Sequence, residues 1–191
     1  MNYLNLNIYR TVSNSEGPGK RFVLWVQGCL KRCQYCCNPS MLKIQPARVV
    51  SVDSINRLIS RSVKNYSIEG ITILGGEPFL QAKPLSKIAS YTREIGLSVM
   101  VFSGYTYEEL TSLDLSYKNE FLESIDLLID GEYDHKLPDL ERNWVGSRNQ
   151  KFHYLSDFYK AGLEYEYPSP NIEIYVEKDN WILNGYPLRF S

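Results

Sequence analysis

Residues 70–104 read GITILGGEPFLQAKPLSKIASYTREIGLSVMVFSG. GITILGG is a short, continuous apolar run ending on two glycines, the pattern of a buried strand. KPLSKIASYTREIG carries apolar residues at helical spacing and stops at Gly96, the pattern of an amphipathic helix closed by glycine. LSVMVFSG is apolar again. Strand, helix, strand with apolar runs in place of strict alternation predicts a parallel βα unit, its sheet covered on at least one face.

The same grammar extends in both directions. Upstream, NLNIYRTV reads as a short strand, NSEGPGKR as a turn-rich link and RFVLWVQG as an apolar strand. VDSINRLISRSVKNY places Ile55, Leu58, Ile59 and Val63 at helical spacing, with Asp53 or Ser54 as cap. Downstream, TYEELTSL predicts a short helix and SIDLLIDG another strand. A closed eight-unit barrel takes ~250 residues, and this chain has 191. The expected fold is therefore α/β, a partial, open βα barrel of parallel strands with a C-terminal β-hairpin. The hairpin lies in NIEIYVEKDNWILNGYPLRF, two strand-like runs around Asp179 and Asn180. Ile172, Ile174 and Val176 alternate there with polar neighbours, as in a half-exposed hairpin. One domain over 1–191 is expected, its core about 8–153, with a tyrosine-rich segment and the hairpin in 154–191.

Net charge is −1, with 23% charged residues. That balance offers no polyanion-binding surface, so no nucleic-acid partner is expected. The N-terminus has neither the basic start nor the apolar core of a signal peptide, and no apolar run approaches the ~20 residues of a membrane helix. A cytoplasmic protein with reduced thiols is expected, without a membrane partner.

All four cysteines fall within residues 25–40, WVQGCLKRCQYCCNPS. Cys29, Cys33 and Cys36 form C-x3-C-x2-C, and Cys37 follows directly. A Cys33–Cys36 disulfide would suit a thioredoxin-like helix start, which this sequence lacks. Structural zinc joins separated ligand pairs in one tetrahedron, which the adjacent Cys36 and Cys37 cannot easily share. Unliganded core cysteines do not suit so polar a loop. An iron–sulfur cluster fits better: thiolates are its usual ligands, and three of them leave one iron open for a substrate or cofactor. Lys31 and Arg32 sit inside the loop, where they can offset the cluster's negative charge. Cys37 reads as a partly exposed thiol or, in preference, a small buried apolar residue.

C-x3-C-x2-C with an aromatic, Tyr35, before the last cysteine resembles the signature of the radical S-adenosylmethionine (SAM) superfamily. ITILGGEP strengthens the resemblance, with glycines and a carboxylate where a parallel strand ends. EGPGKRFVLWVQGC is similar to the D-G-P-G-x-R stretch that precedes the cysteines in glycyl-radical-enzyme activases, with Glu16 in the aspartate position. CNPS resembles their C-H-N-P, with Cys37 for the histidine. LLIDGEYDHKLPDL with WVGSRNQ is similar to a region of anaerobic ribonucleotide reductase activating proteins, where Val145 replaces an arginine. The resemblance spans most of residues 15 to 151 and thins over 154–170.

The resemblance implies a 4Fe-4S cluster held by Cys29, Cys33 and Cys36. It implies SAM bound by Gly75, Gly76, Glu77 and Pro78 at its ammonium. At the ends of the next two strands, Ser103 is a candidate for its carboxylate or ribose and Asp130 for a ribose hydroxyl, each with a capping role as the alternative. Tyr35 is the candidate beside adenine. The implied chemistry is reductive SAM cleavage to a 5′-deoxyadenosyl radical that takes hydrogen from a partner protein, as in glycyl-radical-enzyme activases. A low-potential donor of flavodoxin or ferredoxin type would supply the electron. A peptide or small metabolite as substrate is the alternative, and a non-catalytic iron–sulfur or zinc module is the alternative of another class. No acid–base pair is needed, and His135 and His153 are expected to be surface or structural. The lack of further cysteines argues against auxiliary clusters.

Overall fold

A computed structural model describes residues 2–166, 172–177 and 180–185. A seven-stranded sheet runs in the order β3-β1-β2-β4-β5-β6-β7. Its members are β1 (Tyr3–Ser13), β2 (Arg21–Val26), β3 (Arg48–Ser51), β4 (Gly70–Gly75), β5 (Ser98–Phe102), β6 (Leu127–Asp130) and β7 (Lys151–Tyr154). β2, β4, β5 and β6 are mutually parallel. Antiparallel pairs flank them on both sides. The sheet is open rather than closed, a partial βα barrel as the length requires.

The apolar runs are continuous because both faces are covered. Phe22, Leu24 and Val26 of β2, Val99 and Val101 of β5 and Leu128 of β6 face the main core. It is completed by Ile55 and Ile59 of α1 (Val52–Tyr66), Leu85 and Ile88 of α2 (Ala82–Glu94), Leu110 of α3 (Tyr107–Ser112) and Phe121 of α4 (Lys118–Glu123). The alternate residues serve the other face. Val23 and Trp25 pack with Met41, and Met100, Leu127 and Ile129 with Val145 and Leu163. Each large apolar side chain so buried is worth ~1.5–3 kcal/mol.

Some boundaries differ from expectation. The α1 cap is Ser51, whose hydroxyl accepts from the Ser54 amide, rather than Asp53 or Ser54. α3 begins with a full capping box, Thr106 and Glu109.

At the N-terminal end of the parallel strands, Arg21 is fully buried. Its guanidinium donates to Ser98 Oγ at 2.6 Å, Tyr159 Oη at 2.8 Å and Thr72 Oγ1 at 3.2 Å. Gly70 must lack a side chain beside it, because a Cβ there would meet Arg21 Nη1 at 2.1 Å. The arginine of the E-G-P-G-x-R stretch thus ties strands together at the end remote from the cysteines.

The hairpin pairs β8 (Ile172–Glu177) with β9 (Asn180–Gly185). The expected turn residue Asp179 lies outside the described residues. The alternation is present with the opposite sense: Ile172, Ile174 and Val176 are exposed, while Glu173 and Tyr175 face the body. Polar anchors decide this. Glu173 accepts from the Ser13 and Ser15 hydroxyls and the Asn14 amide, and Tyr175 Oη donates to Val12 O. Glu16 accepts from the Gly185 amide at 3.1 Å.

Burial pushes Glu16 up to about 7; the Gly185 amide pulls against this, and the charge of Glu173 adds to it. The folded chain therefore keeps a proton that the unfolded chain releases near 4.5. The stabilisation is full below that value and is lost as pH rises through 7. E16Q abolishes this loss, so urea unfolding should show the variant gaining on the parent by on the order of 2 kcal/mol between pH 5 and pH 8.

Candidate iron–sulfur and cofactor site

Because β2, β4, β5 and β6 are parallel, their C-terminal ends form one rim. The cysteine loop follows β2, Gly75 ends β4, Ser103 and Gly104 follow β5, and Asp130 ends β6. Ligands of parallel sheets collect on this edge.

The cysteine loop is bound to the rim through main chain. Gly28 and Cys29 donate to Met41 O and Leu42 O at 2.8 and 3.1 Å. Gly76 donates to Val26 O at 2.9 Å, and Glu77 donates to Gly28 O at 2.8 Å. A Cβ at Gly76 would lie 2.3 Å from Gly28 O, so glycine is required by the residue before Cys29. Left-handed backbone at Arg32 (φ 54°) and Tyr35 (φ 60°) turns the chain twice within the loop.

All four cysteines are free thiols. Cys36 accepts the Asn38 amide at 3.4 Å, and nearby backbone amides, of Lys31 and Arg32 for Cys29 and of Tyr133 for Cys33, favour the thiolate against burial. Such donors suit thiolate sulfur and are a recognised lever on cluster potential. Among the described residues, no three His, Cys, Asp or Glu side chains are grouped as they would be around a metal ion. A cluster places each thiolate on a different iron, so its ligands ring it rather than converge. Free thiols on one loop are the donor chemistry an iron–sulfur cluster takes.

Burial pushes the Cys29 thiol up, against the Lys31 and Arg32 amides. Cys33 is pushed up to about 11, first by burial and then by Glu132. Cys36 is drawn down to about 6 by a hydrogen bond from Cys37. Cys37 is exposed, a correction to its reading as buried: the turn that carries Asn38 into the Pro39–Met41 helical turn leaves it on the surface.

Glu77 is the centre of the rim. It is fully buried, caps the helical turn begun by Pro78 by accepting from Phe79, and accepts from Ser103 Oγ at 2.9 Å and Gly104 N at 2.8 Å. Burial pushes its carboxyl up to about 7, against the pull of those donors and of Lys31. Pro78 is buried at the first position of the turn. Ser103 is buried, and its hydroxyl also accepts from Tyr105 N at 3.0 Å. Asp130 is buried and accepts from Tyr107 N at 2.6 Å, Lys151 N at 3.2 Å and His153 Nε2 at 2.8 Å. His153 is thus structural. Tyr35 is 69% exposed and meets the His135 ring edge-on at 4.7 Å between centroids.

Some rim residues carried no local signal. Gln81 joins Asn5 and Gln27 beneath the loop. Glu132 lies 3.5 Å from Cys33 Sγ, and only the D-G-E-Y-D stretch itself marked that region.

G76A should therefore loosen the loop and leave the sheet intact. Alkylation of the buried Cys29 thiol, followed by peptide mass spectrometry, should accelerate about tenfold, as ~1.4 kcal/mol of lost docking gives.

Comparison with known proteins places the chain among named relatives. The family described as a 4Fe-4S single cluster domain matches residues 15–153. The anaerobic ribonucleoside-triphosphate reductase-activating protein of Enterobacteria phage T4 is 32% identical over 140 residues, 71% of this chain and 85% of that protein. The pyruvate formate-lyase-activating enzyme of Staphylococcus aureus is 38% identical over 96 residues, 49% of this chain but only 38% of that enzyme. The crystal structure of QueE from Escherichia coli aligns over 65% of this chain and 69% of that one, at 18% identity and a TM-score of 0.44. With a 4Fe-4S model covering most of its length and an activating protein matched over most of that relative, this chain belongs to the 4Fe-4S single cluster domain family, among the radical SAM enzymes of activase type.

Proposed function

We propose that this chain reductively cleaves SAM and takes a hydrogen atom from a glycyl-radical enzyme. The observation that carries the reading is the loop itself: three free thiols on one loop, fastened by main-chain hydrogen bonds to a G-G-E-P strand end. When bound, the cluster and SAM supply the one-electron, hydrogen-abstracting chemistry; the protein positions them and excludes water.

Cys29, Cys33 and Cys36 would hold the cluster and leave it a position for the cofactor's amine and carboxylate. The amides of Gly76 and Glu77 are already donated to Val26 and Gly28. What the Gly75–Pro78 segment has left for a ligand is acceptors, as an ammonium needs. Ser103 and Asp130 serve the cofactor by shaping the rim, Ser103 through Glu77 and Asp130 through Tyr107 and Lys151. Tyr35, the exposed aromatic of the loop, is assigned to adenine.

An activating relative matched over 85% of its length supports a glycyl-radical partner. The exposed Leu30, Ile44 and Leu140, with Ile172, Ile174 and Val176 of the hairpin, provide apolar surface for it. A flavodoxin- or ferredoxin-type donor would supply the electron, in the cytoplasm. Among the described residues, no helix is long and apolar enough to cross a membrane.

Anaerobic reconstitution should give about four irons per chain, and dithionite with SAM should release 5′-deoxyadenosine. C29A, C33A and C36A should each abolish iron loading, whereas C37A should keep it. Co-expression with the partner should give a glycyl radical by electron paramagnetic resonance. A colourless zinc protein that leaves SAM intact contradicts the enzyme reading. SAM cleavage without any glycyl radical redirects it to a peptide or small metabolite.

A further inference from the structure

We propose that Lys31 and Glu132 are an opposed pair of positioning charges that set the reduction potential of the cluster through Cys33. The inference rests on the assignment of Cys29, Cys33 and Cys36 as ligands.

Lys31 lies between two of those ligands in sequence, and its side chain is only 13% exposed. Its ammonium is 2.9 Å from Glu109 and 3.2 Å from Glu132, and it sits 4.4 Å above the Tyr105 ring. Three rim segments thus meet on one cation: the cysteine loop, the start of α3 and the exit of β6. Gly104 leaves room for the stem, since a Cβ there would meet Lys31 Cγ at 3.1 Å. Glu109 is fixed by its own capping box with Thr106, so Lys31 keeps a counter-charge without Glu132.

Glu132 is the unusual member. One oxygen reaches Lys31, and the other lies 3.5 Å from Cys33 Sγ. The Cys33 thiol donates to that oxygen. A ligand thiolate has no proton to give, so with the cluster in place a carboxylate stands beside a negative sulfur, with Lys31 as the cation between them. Reduction adds one more electron to this assembly. A fixed negative charge disfavours that addition and a fixed positive charge favours it. The Tyr133 amide, next in the chain, also donates to Cys33. Moving Glu132 therefore acts on the same ligand through charge and through the backbone it carries.

The test is a redox titration of the anaerobically loaded full chain without SAM, followed by electron paramagnetic resonance. E132Q should raise the midpoint, making the cluster about tenfold more reduced at a fixed potential, ~59 mV for one electron. K31M should lower it by a comparable amount. The double variant should return to within about threefold of the parent, because the removed charges cancel, and K31R should match the parent. A purely structural role predicts the reverse pattern, with both single variants shifted the same way and the double variant worse. That pattern, or an E132Q midpoint unchanged or lowered, overturns the proposal. If K31M loads no iron, E132Q decides alone. A parent chain that takes up no iron refutes the ligand assignment instead, whereas a loaded chain indifferent to E132Q refutes only the charge pair.

Discussion

Two main-chain hydrogen bonds, Gly76 N to Val26 O and Glu77 N to Gly28 O, hold the thiol loop against the end of β4. They form only because position 76 has no side chain, its Cα lying against the Gly28 carbonyl. The same dipeptide then sends the Glu77 carboxyl inward to collect donors from the β5 exit. G-G-E-P is thus a joint between three rim segments before it is a ligand site. Fixing a metal loop by its backbone, and leaving the side chains for chemistry, holds reactive groups in place at little entropic cost when the ligand arrives.

The sheet carries a buried ionisable group at each end of its parallel strands. Arg21 spans β2, β4 and β5 at the N-terminal end, and Glu77 spans β2, β4 and β5 exits at the other. Among the described residues, neither has a close salt-bridge partner in its hydrogen-bond shell; hydroxyls, amides and carbonyls surround both. Buried charge satisfied by such dipoles is costly to disturb and specifies geometry strongly. Register is therefore enforced at both ends, which keeps the rim residues at constant mutual distance.

The βα alternation was legible because apolar runs and helical spacing are local. The thiol loop was legible as a unit because all four cysteines lie within one short stretch of sequence. What stayed hidden was long-range and polar. β3 and β7 are short strands whose place comes from antiparallel pairing with β1 and β6, not from their own pattern. The hairpin shows the correct period but the opposite face, because Glu173 is held by Ser13, Asn14 and Ser15, far away in sequence. Lys31 was read as offsetting the cluster's charge, and only the fold shows that two carboxylates from other segments hold it in place. Ser103 and Asp130 were correctly placed on the rim, but only the fold shows how fully each is occupied by neighbouring backbone.

The central claim is asymmetry: three corners gripped by protein and one left for a small molecule. Mössbauer spectroscopy of the chain loaded with iron-57 tests it directly, by comparing spectra before and after SAM is added. The account predicts that a quarter of the iron signal separates from the rest and moves to a higher isomer shift on addition, as one site gains oxygen and nitrogen donors. A spectrum that treats all four sites alike and ignores SAM would contradict it.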